Sequence, residues 1–186
     1  MRPRHHPQSE AATSAVVLGN ALSSLGQRDR ALAVFGRGLE QARDVYARAQ
    51  LRFNRAIVLQ ALGRQQDALA DYTAVVRHPG ENPSARKTAW SAGLGRATAL
   101  LALGRDEAAL DVLTPLLDVE PDDASNYDRA ELRINLGMLE WKSDPAARDR
   151  ARELVVEGLE IAKGVRNGGG LVELANAWLS EHAPAR

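Results

Sequence analysis

The stretch Leu25-Gly26-Gln27-Arg28-Asp29-Arg30-Ala31-Leu32 decides how this chain is read, because it returns twice with small changes. It recurs as Leu62-Gly63-Arg64-Gln65-Gln66-Asp67-Ala68-Leu69 and as Leu103-Gly104-Arg105-Asp106-Glu107-Ala108-Ala109-Leu110. Each copy is preceded, three positions before its Leu-Gly pair, by another leucine: Leu22, Leu59 or Leu100. The glycines lie 37 and 41 residues apart. Self-similarity at such a period marks a stacked array, which builds an extended surface rather than a pocket.

Outward from these stretches the spacing of apolar residues is helical. A first helix is expected from Ser9, an N-cap, to Leu25. Gly26 turns the chain into a second, about Arg28 to Arg43, because glycine is free to take positive φ. Asp44 caps a third helix reaching Leu62, and a fourth covers Gln65 to Arg77. His78-Pro79-Gly80-Glu81-Asn82-Pro83 is a loop. Ser84 then caps a fifth helix ending near Leu103, and a sixth spans Asp106 to Asp118. Glu120-Pro121-Asp122-Asp123 makes a break whose acidic residues complement the positive end of a seventh helix, which reaches about Trp141. Asp144-Pro145 opens an eighth, to Lys163. The run Asn167-Gly168-Gly169-Gly170 reads as a flexible hinge before a short helix, Leu171 to His182. The expected organisation is a disordered tail (1–8), a repeat domain (9–163), a hinge (164–170) and a C-terminal capping helix and tail (171–186).

These hairpins resemble tetratricopeptide repeats. The family places a small residue in the first helix, a bulky residue three later and a glycine at the turn. An alanine and then a large apolar residue follow in the second helix. The sequence supplies Gly19, Leu22, Gly26, Ala31 and Phe35; then Ala56, Leu59, Gly63, Ala68 and Tyr72; then Ala97, Leu100, Gly104, Ala109 and Leu113, with Pro121 closing the third. In a fourth, Leu136-Gly137 fits, but Glu140 replaces the bulky residue and Lys142-Ser143-Asp144-Pro145 replaces the turn glycine. Arg55 and Arg96 stand where the first repeat has Leu18, with stems expected to pack and heads to reach water. The resemblance implies an all-α, right-handed α-solenoid of four such hairpins plus the capping helix.

Composition narrows the function class. The chain is 45% apolar and only 4% aromatic, which suits alanine- and leucine-rich helices in close contact. It has no cysteine, no apolar run of membrane-spanning length and an N-terminus without a signal-peptide core, so a cytoplasmic protein with no membrane partner is expected. Net charge is zero but uneven. Through Arg105 there are 15 Lys and Arg against 7 Asp and Glu, and from Asp106 on there are 9 against 17. Such a split can steer partners or favour self-contact, so a homo-oligomer, a self-assembling scaffold joined through basic and acidic halves, is one expectation.

No catalytic constellation, metal set or cofactor motif stands out. His5 and His6 sit in the tail, His78 in a loop and His182 at a chain end, and the glycine run lacks the lysine and hydroxyl of a phosphate loop. Arg43, Arg48, Arg52 and Arg55 form a basic cluster and Arg86-Lys87 follows the loop, but the chain is not basic overall and the interleaving of the arginines with apolar residues argues against nucleic acid. The resemblance instead implies a concave groove lined by the first helix of each hairpin, holding a peptide or helix of a protein partner. The candidate groove residues are Asn20, Phe53, Asn54, Ile57, Gln60, Thr98, Asn135, Met138 and Trp141. Asparagine can hold a peptide backbone without reading its sequence, and Phe53, Met138 and Trp141 would supply apolar anchors. Chaperone-binding members clamp a terminal carboxylate with two asparagines and several cations. Asn20 and Asn54 match, but Val16, Ser91 and Gly95 occupy the cation positions, which argues against a clamp. An accessory subunit of an enzyme complex is a further expectation.

Overall fold

A computed structural model of the chain describes residues 7–78, 80 and 82–182, with side chains from residue 11 onward. His5, His6 and the first six residues of the expected tail fall outside that range. Nine α-helices and one 3-10 turn are present among the described residues, with no strand. The chain divides into two compact units, residues 1–104 and 105–186.

The first unit holds α1 (Pro7–Ser24), α2 (Arg28–Gln41), α3 (Val45–Ala61), α4 (Gln65–Arg77) and α5 (Pro83–Ala102). The repeated Leu-Gly pair acts as a helix stop. Gly26, Gly63 and Gly104 have φ of +75°, +74° and +69°, a region that costs an L-residue about 1–2 kcal/mol. That conformation returns the next amides to the helix end. Gln27 N–H donates to Leu22 O and Arg64 N–H to Leu59 O, both at 2.9 Å, so the preceding leucines also accept the closing bonds of the turn.

Other ends follow local chemistry, with corrections. Asp44 caps α3, accepting from Ala47 N–H at 2.8 Å, as expected. Asn82, not Ser84, caps α5, because Pro83 takes the first helical position, where a missing N–H costs nothing. Likewise α1 already starts at Pro7, ahead of Ser9.

Core packing in this unit joins successive hairpins. Ala31 and Phe35 of α2 pack with Ala12 of α1 and with Leu51 and Val58 of α3. Ala56 and Leu59 pack with Ala68, Tyr72 and Val75 of α4 and Ala92 of α5. The close crossings depend on missing side chains. A Cβ on Gly19 would overlap the Phe35 ring, and one on Gly95 would overlap the Tyr72 ring and lie 2.8 Å from its hydroxyl.

Arg55 corrects the expectation that its head reaches water. Its Nε and Nη2 donate to the two Asp71 carboxylate oxygens at 2.6 and 2.7 Å, and Asp71 is buried. This hydrogen-bonded carboxylate raises the Arg55 pKa further above its ordinary value, against the opposing effect of burial. The first repeat has Leu18 and Val34 at these two positions, so the ion pair replaces an apolar combination.

The second unit holds α6 (Asp106–Asp118), α7 (Asn126–Ser143), a 3-10 turn (Pro145–Ala147), α8 (Arg148–Lys163) and α9 (Gly169–Glu181). Helix α6 packs on α7, α7 on α8, and α9 on both α7 and α8. Their core joins Ala130 and Ile134 to Val155, Leu159, Ala162, Leu171, Ala175 and Trp178. Asp144 caps the 3-10 turn rather than the helix itself. Ser125 caps α7, accepting from Asp128 N–H at 3.1 Å, and Glu120 of the preceding break is held by Arg129 and Arg133 at 3.1 and 2.6 Å.

Urea titrations check these contacts. Gly19→Ala and Gly95→Ala should each lose about 1–3 kcal/mol by overpacking. Gly36→Ala, with open space at its Cβ inside α2, should gain about 0.5–1 kcal/mol. Asp71→Val should cost about 2–3 kcal/mol, less than a fully buried pair because 31% of the Arg55 side chain remains exposed. Adding Arg55→Leu should recover most of that loss, and a double variant as unstable as the single would refute this account.

Candidate functional site

The repeat register places groups of equivalent residues on successive first helices. Asn20, Ile57 and Thr98 are equivalents in α1, α3 and α5, spaced by the same 37 and 41 residues as the turn glycines. Helix α3 packs against both α1 and α5, so these positions form a row within the first unit. Asn20 is exposed, Ile57 is 45% exposed and Thr98 is half-buried. The row contains no formal charge.

The row three residues earlier is Val17, Asn54 and Gly95. Asn54 is half-buried and donates its Nδ2 to Gln50 O at 2.8 Å, which fixes the amide along its own helix. Thr98 likewise donates Oγ1 to Leu94 O at 3.1 Å. Both side chains are therefore oriented before any ligand arrives, so less conformational entropy remains to be lost on binding.

Other expected groove residues in this unit are used internally. Phe53 is half-buried and meets Tyr72 edge-on, with ring centroids 6.1 Å apart. Gln60 accepts from the Tyr72 hydroxyl at 2.5 Å and donates Nε2 to Gly95 O at 3.3 Å. One amide thus ties α3, α4 and α5 together. Of the basic cluster, Arg48 donates to the Leu39 and Ala42 carbonyls at 3.0 and 3.1 Å, closing the end of α2, and Arg55 is held by Asp71.

The second unit places Asn135, Met138 and Trp141 on α7. Asn135 and Trp141 are half-buried. Met138 packs on the core formed with α8 and α9. Trp141 is enclosed by aromatic and cationic neighbours. Trp178 meets it edge-on at 5.3 Å, His182 at 5.1 Å, and the Arg148 guanidinium lies 5.2 Å from its ring centroid. His182 also stacks on Trp178, with centroids 4.4 Å apart and an 18° interplanar angle. The spacing Leu171, Ala175, Trp178 is the signal in the sequence that α9 has an inward face.

Glu140, the residue that breaks the repeat pattern, is buried beside Arg150 at 3.7 Å. Its Oε2 has no hydrogen-bond partner among the described residues. A leucine stands at this position in the other three repeats. Among the described residues no group of three or more His, Asp or Glu is placed to hold a metal ion, and no helix is long and apolar enough to cross a membrane.

No protein-family model and no curated protein matches the chain. Solved structures do. The crystal structure of YrrB, described as a TPR protein with an unusual peptide-binding site, is similar at a TM-score of 0.60 and 19% identity, covering 96% of this chain and 86% of that one. The crystal structure of TTC0263, a thermophilic TPR protein of Thermus thermophilus, is similar at a TM-score of 0.46 and 22% identity, covering 90% of this chain and 99% of that one. The helical order, the repeated glycine turn and the likeness to YrrB together show that this all-α chain has the tetratricopeptide-repeat fold.

Proposed function

We propose that the chain is a non-enzymatic interaction module that receives an extended peptide segment of a partner protein across α1, α3 and α5. The observation that carries this reading is the uncharged row Asn20, Ile57 and Thr98, repeated once per hairpin, with Asn20 and Ile57 open to solvent. Ile57 offers an apolar contact at its centre. Asn20 and Asn54 offer amide groups that meet both the N–H and the C=O of a peptide backbone. The description of YrrB as carrying a peptide-binding site belongs to the same class of activity.

The binding residues in this reading are Asn20, Asn54, Ile57 and Thr98. Phe53 and Gln60 support them from below, since both reach Tyr72. In the second unit Asn135 remains a separate candidate, whereas Met138 and Trp141 pack against α9.

A random twelve-residue peptide library displayed on phage, selected on the full chain, supplies the probe. Selected peptides should bind the wild type and lose about tenfold affinity on Asn54→Ala, the scale of one hydrogen bond. Ile57→Asp should cost more, by placing a carboxylate in the contact. Trp141→Ala should lower the urea midpoint with a smaller effect on affinity. Affinities unchanged by both Asn54→Ala and Ile57→Asp would overturn the assignment.

A further inference from the structure

Helix α1 carries an apolar face that no described element covers. Leu18 and Leu25 are 52% and 72% exposed, and Ser14 and Ala21 on the same side are exposed too. Positions 14, 18, 21 and 25 repeat at helical spacing, so they form one stripe. The repeat register says what such a stripe is for. Its equivalents in α3 are Leu51, Arg55, Val58 and Leu62. Leu51 and Val58 are buried against Ala31 and Phe35 of the preceding hairpin. In α7 the equivalents Leu132, Leu136 and Leu139 are buried as well. The α1 stripe is therefore the surface that elsewhere in this chain receives a helix.

Charge identifies a helix suited to it. Helix α1 has no charged side chain from residue 11 to its end, and its neighbour α2 exposes Arg28, Arg30 and Arg37. Residues 1–104 as a whole carry 14 Lys and Arg against 7 Asp and Glu, and residues 105–186 carry 10 against 17. Within the acidic unit, α9 exposes Leu174 and Ala177 flanked by Glu173 and Glu181, and it contains no lysine or arginine. Two apolar residues flanked by carboxylates on α9 complement an apolar stripe whose paired helix exposes arginines.

We propose that the α1 stripe is a docking site for a second copy of this chain, which presents the outer face of its α9. The contact is heterologous, since the two copies contribute different surfaces, and each copy keeps one unused surface of the opposite kind.

Sedimentation of the full chain across a range of concentrations, at about 0.05 M and about 0.5 M salt, tests this. The wild type should self-associate, more weakly at high salt, with growth beyond a dimer as concentration rises. Leu18→Asp/Leu25→Asp and, separately, Leu174→Arg/Glu181→Arg should each be monomeric while keeping the wild-type circular dichroism spectrum. Mixed together, the two variants should form a one-to-one heterodimer, because each retains the surface that the other lacks. A wild type that stays monomeric at every concentration would overturn the proposal. So would an α9 variant that still dimerises, which would mean that α1 pairs with α1, or a mixture that forms no heterodimer.

Discussion

The backbone of α5 comes against the Tyr72 ring only because position 95 has no side chain. Much of the first unit depends on that approach. With the ring seated, its hydroxyl reaches Gln60, and Gln60 in turn reaches the Gly95 carbonyl. Three helices are thereby held in register by one aromatic residue, one amide and one absent Cβ. Phe53 meets the same ring edge-on, while Ile57, one turn later, is 45% exposed.

The architecture is legible in the sequence where the deciding chemistry is local. A left-handed turn needs glycine, an extended residue before a helix needs a capping oxygen, and both are written within a few residues. Gly26, Gly63 and Asp44 declare their roles for that reason. Ser84 misleads because two capping residues flank Pro83, and the choice rests on where the proline fits. The face is less legible. Gln60 and Asn54 are both polar residues on the same helix, and nothing in their spacing says that one is engaged by Tyr72 while the other bonds along its own helix. The departure of Arg55 and Asp71 from Leu18 and Val34 is a usable signal, since two simultaneous changes of opposite charge within one hairpin suggest a pair. Arg55 taken alone, without that partner, points to water instead.

Polar substitutions distinguish the hairpins more than apolar ones do. Asp71 is matched by a bidentate arginine, so its burial is compensated. Glu140 has only a longer contact to the exposed Arg150 and one buried oxygen without a hydrogen bond. A carboxylate in that setting is costly compared with the leucine of the other repeats. The fourth hairpin compensates by packing elsewhere: α9 adds Leu171, Ala175 and Trp178 to its core.

That packing has an optical consequence. The chain has three tryptophans. Trp90 is buried in the first unit, while Trp141 and Trp178 meet at the contact of α9 with α7. Two indoles 5.3 Å apart, one of them stacked on an imidazole, share a fixed asymmetric aromatic environment. The last helix thus carries its own spectroscopic label. Its release from α7 and α8 would alter near-ultraviolet ellipticity and emission together, with Trp90 serving as an internal reference.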